Sequence, residues 1–242
     1  MFAVLRDSLL SLVYPQECRV CFRHIENSDD GAACSGCWAE TRTLDGSQML
    51  CAKCGAFFGD KRASVDVYCR KCDDHFYDRA VAAGIYEKAI AASVVKLKTV
   101  PVIDARLRSL VIAAFNRSGF DDADLIIPIP LGRRRRIERG FNQAELIGKI
   151  IAAHSGVKLD TNSVRRKGHS PMHRVAMDAK ARDLTVRNTF EVTRPKLVHG
   201  KDILLVDDVF TSGATTSHCA KSLKKNGANR VNVLTLARAV MF

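Results

Sequence analysis

Apolar positions along the chain follow two rhythms that alternate from about residue 79 onward. "AVAAGIY" reads as a strand or a sheet edge. "EKAIAASVVKLK" and "DARLRSLVIAAFNRSG" repeat their apolar residues every three or four positions, as amphipathic helices do. "DLIIPIP" is a short continuous apolar run ending in a proline-bounded loop, and "GFNQAELIGKIIAAHSG" is a helix closed by glycine. Ile203, Leu204, Leu205 and Val206 form a branched, unbroken run of the kind buried on both faces of a parallel sheet. "ATTSHCAKSLKKNG" then predicts a helix stopped by Gly227, and "VNVLTLA" a last strand. This alternation predicts an α/β fold, a doubly wound and mostly parallel sheet over residues 77–242.

The first 76 residues read differently. "MFAVLRDSLLSLVYP" places apolar residues at Phe2, Leu5, Leu9, Leu10 and Val13, which predicts an amphipathic helix over residues 1–14 ended by Pro15. Arg6 and Asp7 interrupt it and no small-residue cleavage site follows, so it does not read as a signal peptide. No stretch approaches the roughly 20 apolar residues of a membrane span. A cytoplasmic protein without membrane insertion is the expectation.

Eight of the nine cysteines fall into four C-x-x-C pairs: Cys18/Cys21, Cys34/Cys37, Cys51/Cys54 and Cys69/Cys72. A C-x-x-C turn aims two thiolates at one tetrahedral ion, and two such turns complete a four-cysteine zinc site. A disulfide framework would need an oxidising compartment and a secretion signal. A redox C-x-x-C normally occurs singly. The pattern therefore predicts two structural zinc ions in a cysteine-rich double zinc ribbon over residues 15–76. Pairing in chain order is the expected arrangement, and spacing leaves cross-bracing open as the alternative. "ENSDDGAACSGC" is too poor in aliphatics to fold without metal. His24 and His75 read as surface residues beside complete sites, and Cys219 as a buried small side chain.

Charge then narrows the partners. The 242 residues carry a formal net charge of +12, which favours phosphates or nucleic acid. Two loops follow strands where open α/β sheets hold anionic ligands. In "DDVFTSGATT" the backbone N–H groups of Thr211, Ser212, Gly213, Ala214 and Thr215 can wrap a phosphate at a helix start, while Asp207 and Asp208 reach the hydroxyls of a sugar carrying it. "PIPLGRRRRIERGFNQ" brings Arg133 to Arg136 and Arg139 near the same sheet edge. Neither loop carries a dinucleotide or nucleoside-triphosphate fingerprint. Taken alone, a run of arginines is more often a solvated face, and paired aspartates after a strand often cap a turn.

"ILLVDDVFTSGAT" resembles the phosphoribosyl-pyrophosphate (PRPP) motif of type I phosphoribosyltransferases. With "PIPLGRRRRIERGFNQAELI", the four C-x-x-C pairs and the segment from Tyr86 to Lys98, the chain resembles the ComF family of competence proteins over essentially its whole length. The resemblance implies a type I phosphoribosyltransferase-like sheet, Mg²⁺ with PRPP, and a role in DNA uptake. It implies that Asp207 and Asp208 hold the ribose hydroxyls and that residues 211–215 hold the 5′-phosphate. Leu131, Gly132 and Arg133 fall on the pyrophosphate loop, with Arg139 in the "RGFNQ" signature. "RRKGHSPMHRVAMDAKARDLTVRNTF" resembles the flexible catalytic loop, although Thr185 and Thr189 replace the usual asparagine and alanine and His173 stands where glutamine is common.

The chemistry implied is transfer of a phosphoribosyl group to an acceptor, with Asp207, Asp208, Arg166 and Lys167 as the catalytic candidates and Arg166 and Lys167 on a loop able to close over pyrophosphate. The alternative is a non-catalytic protein that binds single-stranded DNA or the uptake machinery. Basic clusters at Arg133 to Arg136, Arg165 to Lys167 and Lys221, Lys224 and Lys225 favour it. The low aromatic content of 7% disfavours it, since stacking platforms are scarce. Phe57, Phe58, Phe76 and Tyr77 are the candidate platforms, although small zinc modules usually bury such rings.

Overall fold

A computed structural model describes residues 16–61, 63–167 and 189–240. The helix expected over residues 1–14 and the loop containing His173 and Thr185 lie outside the described residues. The two four-cysteine segments come first. They contain the short helix α1 (Ser35–Ala39) and a hairpin of β1 (Met49–Leu50) and β2 (Phe57–Gly59).

The main sheet starts with β3 (Arg79–Ile85), followed by α2 (Lys88–Leu97), α3 (Ala105–Ser118) and β4 (Leu125–Pro128). Next come α4 (Arg133–Arg139), α5 (Gln143–Ser155), β5 (Lys158–Leu159) and an antiparallel hairpin of β6 (Val164–Arg166) and β7 (Phe190–Val192). The chain closes with α6 (Pro195–Val198), β8 (Asp202–Phe210), α7 (Ala214–Lys225) and β9 (Arg230–Arg238). Five strands pair in the order β3-β9-β8-β4-β5, all parallel.

Strand alternation sorts the core into two layers. Ile126, Leu204, Val206, Leu234 and Leu236 face α2, α3 and α5. Ile127, Ile203, Leu205, Val231 and Val233 face Cys219, Ala220 and Leu223 of α7. Leu204 and Leu205 have no exposed surface. Truncating such a side chain to alanine costs about 2–5 kcal/mol.

The acids differ from the sequence reading in one respect. Asp207 and Asp208 do not follow the strand; they are inside it. Strand β8 continues to Phe210 because β9 pairs with it throughout, Asp207 opposite Thr235 and Phe210 opposite Arg238. On its other side β4 stops at Pro128, opposite Val206. From β4 the chain moves outward to β5, and from β8 it moves the other way to β9. The crevice between them is therefore a topological switch point, where such sheets bind ligands.

The zinc module is sewn to the sheet's outer strand. Leu44 N–H donates to Ala83 O at 2.9 Å, Ile85 N–H donates to Arg42 O at 2.9 Å, and Ala80 N–H donates to Lys53 O at 2.7 Å. These bonds occupy the open edge of β3, which would otherwise invite pairing with another chain. Ion pairs join Arg42 to Glu87 at 2.6 Å and Arg106 to Asp30 at 3.1 Å.

Candidate functional site

The eight paired cysteines form two clusters, and they pair in chain order. Cys18, Cys21, Cys34 and Cys37 make one; Cys51, Cys54, Cys69 and Cys72 make the other, with all four sulfurs of each within 4.8 Å of one another. The Cys18–Cys37 and Cys51–Cys72 sulfurs are 3.7 Å apart and those of Cys54 and Cys69 3.5 Å. A tetrahedral zinc with bonds of about 2.3 Å requires sulfurs about 3.8 Å apart, so both quartets fit the ion. Arg23 Nε donates to Cys21 Sγ at 3.4 Å and draws that thiol down to about 6, so it is ready to ligate as thiolate. Both sites are closed by four thiolates; they hold the fold and leave no position for a substrate. His24 is exposed, as expected. His75 is half-buried, its Nδ1 2.6 Å from Tyr77 Oη.

The second constellation lies over the switch point. A cleft of about 450 Å³ is lined by Asp207, Asp208, Thr211 and Thr215 from β8 and the turn after it, and by Ile129, Pro130 and Leu131 after β4. Arg135 and Arg139 from α4 and Arg166 from β6 also line it, as do Tyr86, Lys98 and Ala239. The loop Thr211–Gly213 leads into α7, whose N-cap Gly213 has φ 80° and no capping side chain. A non-glycine residue would be strained at that φ, and a Cβ there would meet Phe210 Cζ at 2.5 Å. Ala214 N–H donates to Ser212 Oγ at 3.4 Å, and the positive end of this 12-residue helix lies beside Thr211 and Thr215 of the cleft.

Electrostatics within the cleft are unbalanced by design of the chain. Burial first, and the carboxylate of Asp208 second, push Asp207 well above the ordinary carboxylate range. Asp207 Oδ1 accepts from Asp208 N–H at 2.9 Å, and Asp208 Oδ1 from Val209 N–H at 2.7 Å, which fixes both side chains. Opposite them, Arg139 is held by Gln143 Oε1 at 3.1 Å, and the Arg166 guanidinium lies 5.4 Å from the Phe190 ring centroid. Cys219 is fully buried behind the acids; burial and then Asp207 push its thiol up, so it stays neutral.

Sequence reasoning named Asp207, Asp208, Thr211, Thr215, Leu131, Arg139 and Arg166, and all of these line the cleft. Ser212, Gly213 and Ala214 shape the turn without lining it, and Gly132 lies under the Arg166 stem, its ideal Cβ position 3.8 Å from Arg166 Cδ. Arg133 is exposed outside the lining, and Lys167 is exposed with its N–H donating to Thr189 O at 2.7 Å. The arginine of the run that lines the cleft is Arg135, which helical periodicity places on the same face as Arg139 four residues on. Arg134 and Arg136 pair outward with Glu138 at 2.6 Å and Glu145 at 2.9 Å. Tyr86 and Lys98, quoted as a family segment but given no role, also line it.

The candidate aromatic platforms divide. Tyr77 is buried and Phe57 lies under Arg42, whereas Phe58 is 45% and Phe76 41% exposed, with Lys221 Nζ 4.3 Å from the Phe76 ring centroid. Phe22 and Tyr68 are more exposed still, at 76% and 63%.

Comparison with known proteins agrees with this layout. Residues 9–73 match the double zinc ribbon domain family. The DNA utilization protein YhgH of Salmonella typhimurium (strain LT2) is 29% identical over 238 residues, 95% of this chain and 100% of that one. Competence protein F of Haemophilus influenzae is 27% identical, covering 85% of this chain and 90% of its own. The chain is a homologue of the ComF-type competence proteins. Competence protein ComFC of Bacillus subtilis, 25% identical over 87% of this chain and 85% of its own, extends the relationship. Among solved structures, the chain is similar to a purine phosphoribosyltransferase from Pyrococcus horikoshii, with TM-score 0.35 and 13% identity over 56% of this chain and 85% of the other. The architecture itself rests on the five-stranded parallel sheet and the two cysteine quartets. No helix among the described residues is long and apolar enough to cross a membrane.

Proposed function

We propose that this ComF homologue binds PRPP with Mg²⁺ in the cleft over the switch point and transfers its phosphoribosyl group to an acceptor. The observation that carries the reading is the meeting of Asp207, Asp208, Thr211 and Thr215 with Arg135, Arg139 and Arg166 around one cleft. A sugar bearing a phosphate on one end and a pyrophosphate on the other needs acids for its hydroxyls, amides and hydroxyls for the first phosphate, and cations for the second.

In this reading the bond from the anomeric carbon to the pyrophosphate oxygen breaks as the acceptor's lone pair forms a new one. Charge moves from the sugar to the leaving group. Arg135, Arg139 and Arg166 neutralise the departing pyrophosphate, while Asp207 and Asp208 hold the ribose hydroxyls and so orient the anomeric carbon. An adjacent carboxylate pair is an oxygen-donor set suited to Mg²⁺, which takes one or two carboxylates plus phosphate oxygens. When bound, the ion supplies positive charge to the pyrophosphate. Lys167 is proposed to reach the pyrophosphate during transfer.

Calorimetric titration of PRPP with Mg²⁺ into the zinc-loaded protein, beside an Asp207→Asn/Asp208→Asn variant, tests this. Micromolar binding that the double substitution abolishes is expected. A well-folded wild type that takes up no heat sinks the reading.

A second reading is supported by the exposed rings of Phe22, Phe58, Tyr68 and Phe76 on the zinc module. Exposed rings near lysines suit unpaired bases. On this reading the chain binds single-stranded DNA through these rings, in keeping with the DNA utilization for which several relatives are named, and salt-dependent DNA binding survives the Asp207→Asn/Asp208→Asn change.

A further inference from the structure

We infer that the second cysteine cluster is part of the support of the 211–215 loop, and that Arg238 and His75 are the positioning residues joining the two. The inference rests on the reading of that loop as the sugar-phosphate site.

A chain of contacts converges under the loop. Arg238, the last residue of β9, is buried and donates through Nη1 to Cys54 O and through Nη2 to Cys54 Sγ at 3.5 Å. Its guanidinium lies 4.4 Å from the ring centroid of Phe210, the residue that ends β8 just before the loop. The Phe210 ring is packed edge-on to Tyr77 at 5.8 Å, and the Tyr77 hydroxyl is bonded to His75. His75 Cε1 lies 2.8 Å from where a Cβ on Gly213 would sit, so the histidine and Phe210 together form the floor beneath the loop's glycine. Finally, Phe76 N–H donates to Ser217 Oγ at 3.1 Å in the first turn of α7.

His75 to Tyr77 lie three to five residues beyond Cys72, and His75 N–H donates to Cys72 O at 3.1 Å. The loop's underside is therefore built from the two turns that carry Cys54 and Cys72. Four thiolates around a divalent ion leave a net charge of about −2, which a buried guanidinium partly balances. The ion would tie the four sulfurs together, and losing it would loosen the turns that place the Cys54 carbonyl and His75. Arg238 also has its carbonyl accepting from Tyr86 N–H at 2.8 Å, while Ala239 N–H donates to Phe210 O at 2.9 Å, so both neighbours of its backbone line the cleft.

The first cluster has no such connection among the described residues. Its anchoring arginine, Arg106, stacks at 5.3 Å on Trp38 and pairs with Asp30, on the opposite face of the sheet. The two modules thus share one device, an arginine over an aromatic ring, but only one device touches the loop.

The test is hydrogen–deuterium exchange of the full zinc-loaded chain, comparing wild type with Arg238→Met, Arg238→Lys, Cys54→Ser and the control Arg106→Met. Zinc content and PRPP affinity are measured on the same samples. Exchange at residues 211–217 is expected to quicken at least tenfold in Cys54→Ser and Arg238→Met, less in Arg238→Lys, and to stay unchanged in Arg106→Met. Protection at residues 203–206 identifies samples that remain folded; if Cys54→Ser fails that criterion, stepwise chelation of the wild type replaces it. PRPP affinity should fall in step with loop protection. Unchanged loop exchange after verified loss of the second zinc overturns the inference, as does equal loosening in Arg106→Met. A wild type that binds no PRPP refutes the sugar-phosphate reading instead, and the exchange comparison still decides whether the cluster supports the loop.

Discussion

Asn142 Nδ2 donates to the carbonyl oxygen of Ile129 at 3.0 Å, across 13 residues of sequence and wholly inside the protein. Ile129 is the first residue beyond β4, where the cleft begins. Asn142 also caps α5, its Oδ1 accepting from Ala144 N–H at 3.2 Å. One side chain therefore sets both the exit of the strand and the start of the helix that follows the arginines. Asn142→Asp keeps the cap and loses the donor; Asn142→Ala loses both. The second should cost about 1–3 kcal/mol and the first more, because its carboxylate would be buried against the Ile129 carbonyl oxygen; denaturant unfolding reads both. PRPP binding should weaken in both.

The raised pKa of Asp207 makes stability depend on pH in a definite direction. Burial and Asp208 favour the neutral form in the folded chain, so the native state binds a proton that the unfolded state has released. That contribution is complete below the ordinary aspartate value and is lost as pH rises through the higher folded value. Ligand-free wild type should therefore lose stability relative to Asp207→Asn as pH rises above about 4. Melting temperatures of the pair across this range check it; a constant difference counts against it.

Arg135 and Arg133 separate cleft from surface. Arg135 lines the cleft and has no ion-pair partner among the described residues, whereas Arg133 lies outside the lining. Arg135→Gln should weaken pyrophosphate or PRPP binding about tenfold, equivalent to the loss of about 1.4 kcal/mol. Arg133→Gln should change it less than twofold. Titration of the two variants in the same buffer decides the matter.

Gly84 marks the crossing of two backbones. A Cβ there would lie 2.9 Å from Arg42 O and 2.3 Å from Ile90 Cδ1. Gly84→Ala should push residues 42–44 off β3 and cost about 1–3 kcal/mol. Faster amide exchange at Leu44 and Ile85 would accompany the loss, and its absence would show that the strand edge adjusts without parting.

Much of this was legible in the chain. Cysteine spacing gave two quartets because a C-x-x-C turn fixes its two sulfurs locally; it left cross-bracing open, since the gaps between pairs are nearly equal, and the structure pairs them in chain order. The apolar runs gave the strands, since burial on both faces leaves no other composition. The extent of β8 was hidden because acids normally end a strand; here β9 carries the pairing past them and the cleft gives them space. Arg135 was hidden inside a run of identical residues, whose facing depends on where α4 begins. Asn142 and Arg238 act through carbonyl oxygens, which have no signature in sequence. The rings of Phe58 and Phe76 remain exposed because the module has little interior, its paired cysteines occupying the space a core would need.

The hydrogen bonds from residues 42–44 and Lys53 to β3 have a consequence for how the protein can be divided. A fragment beginning at residue 77 would expose one whole edge of its sheet and lack the covers contributed by Trp38 on one side and Tyr77's neighbours on the other. A fragment ending there would keep its metal ligands but lose Glu87, Lys88, Arg106 and Arg238, the side chains that grip it. The covalent chain could therefore be cut at residue 77 only by breaking contacts that both halves use, so the boundary in sequence is not a boundary in packing.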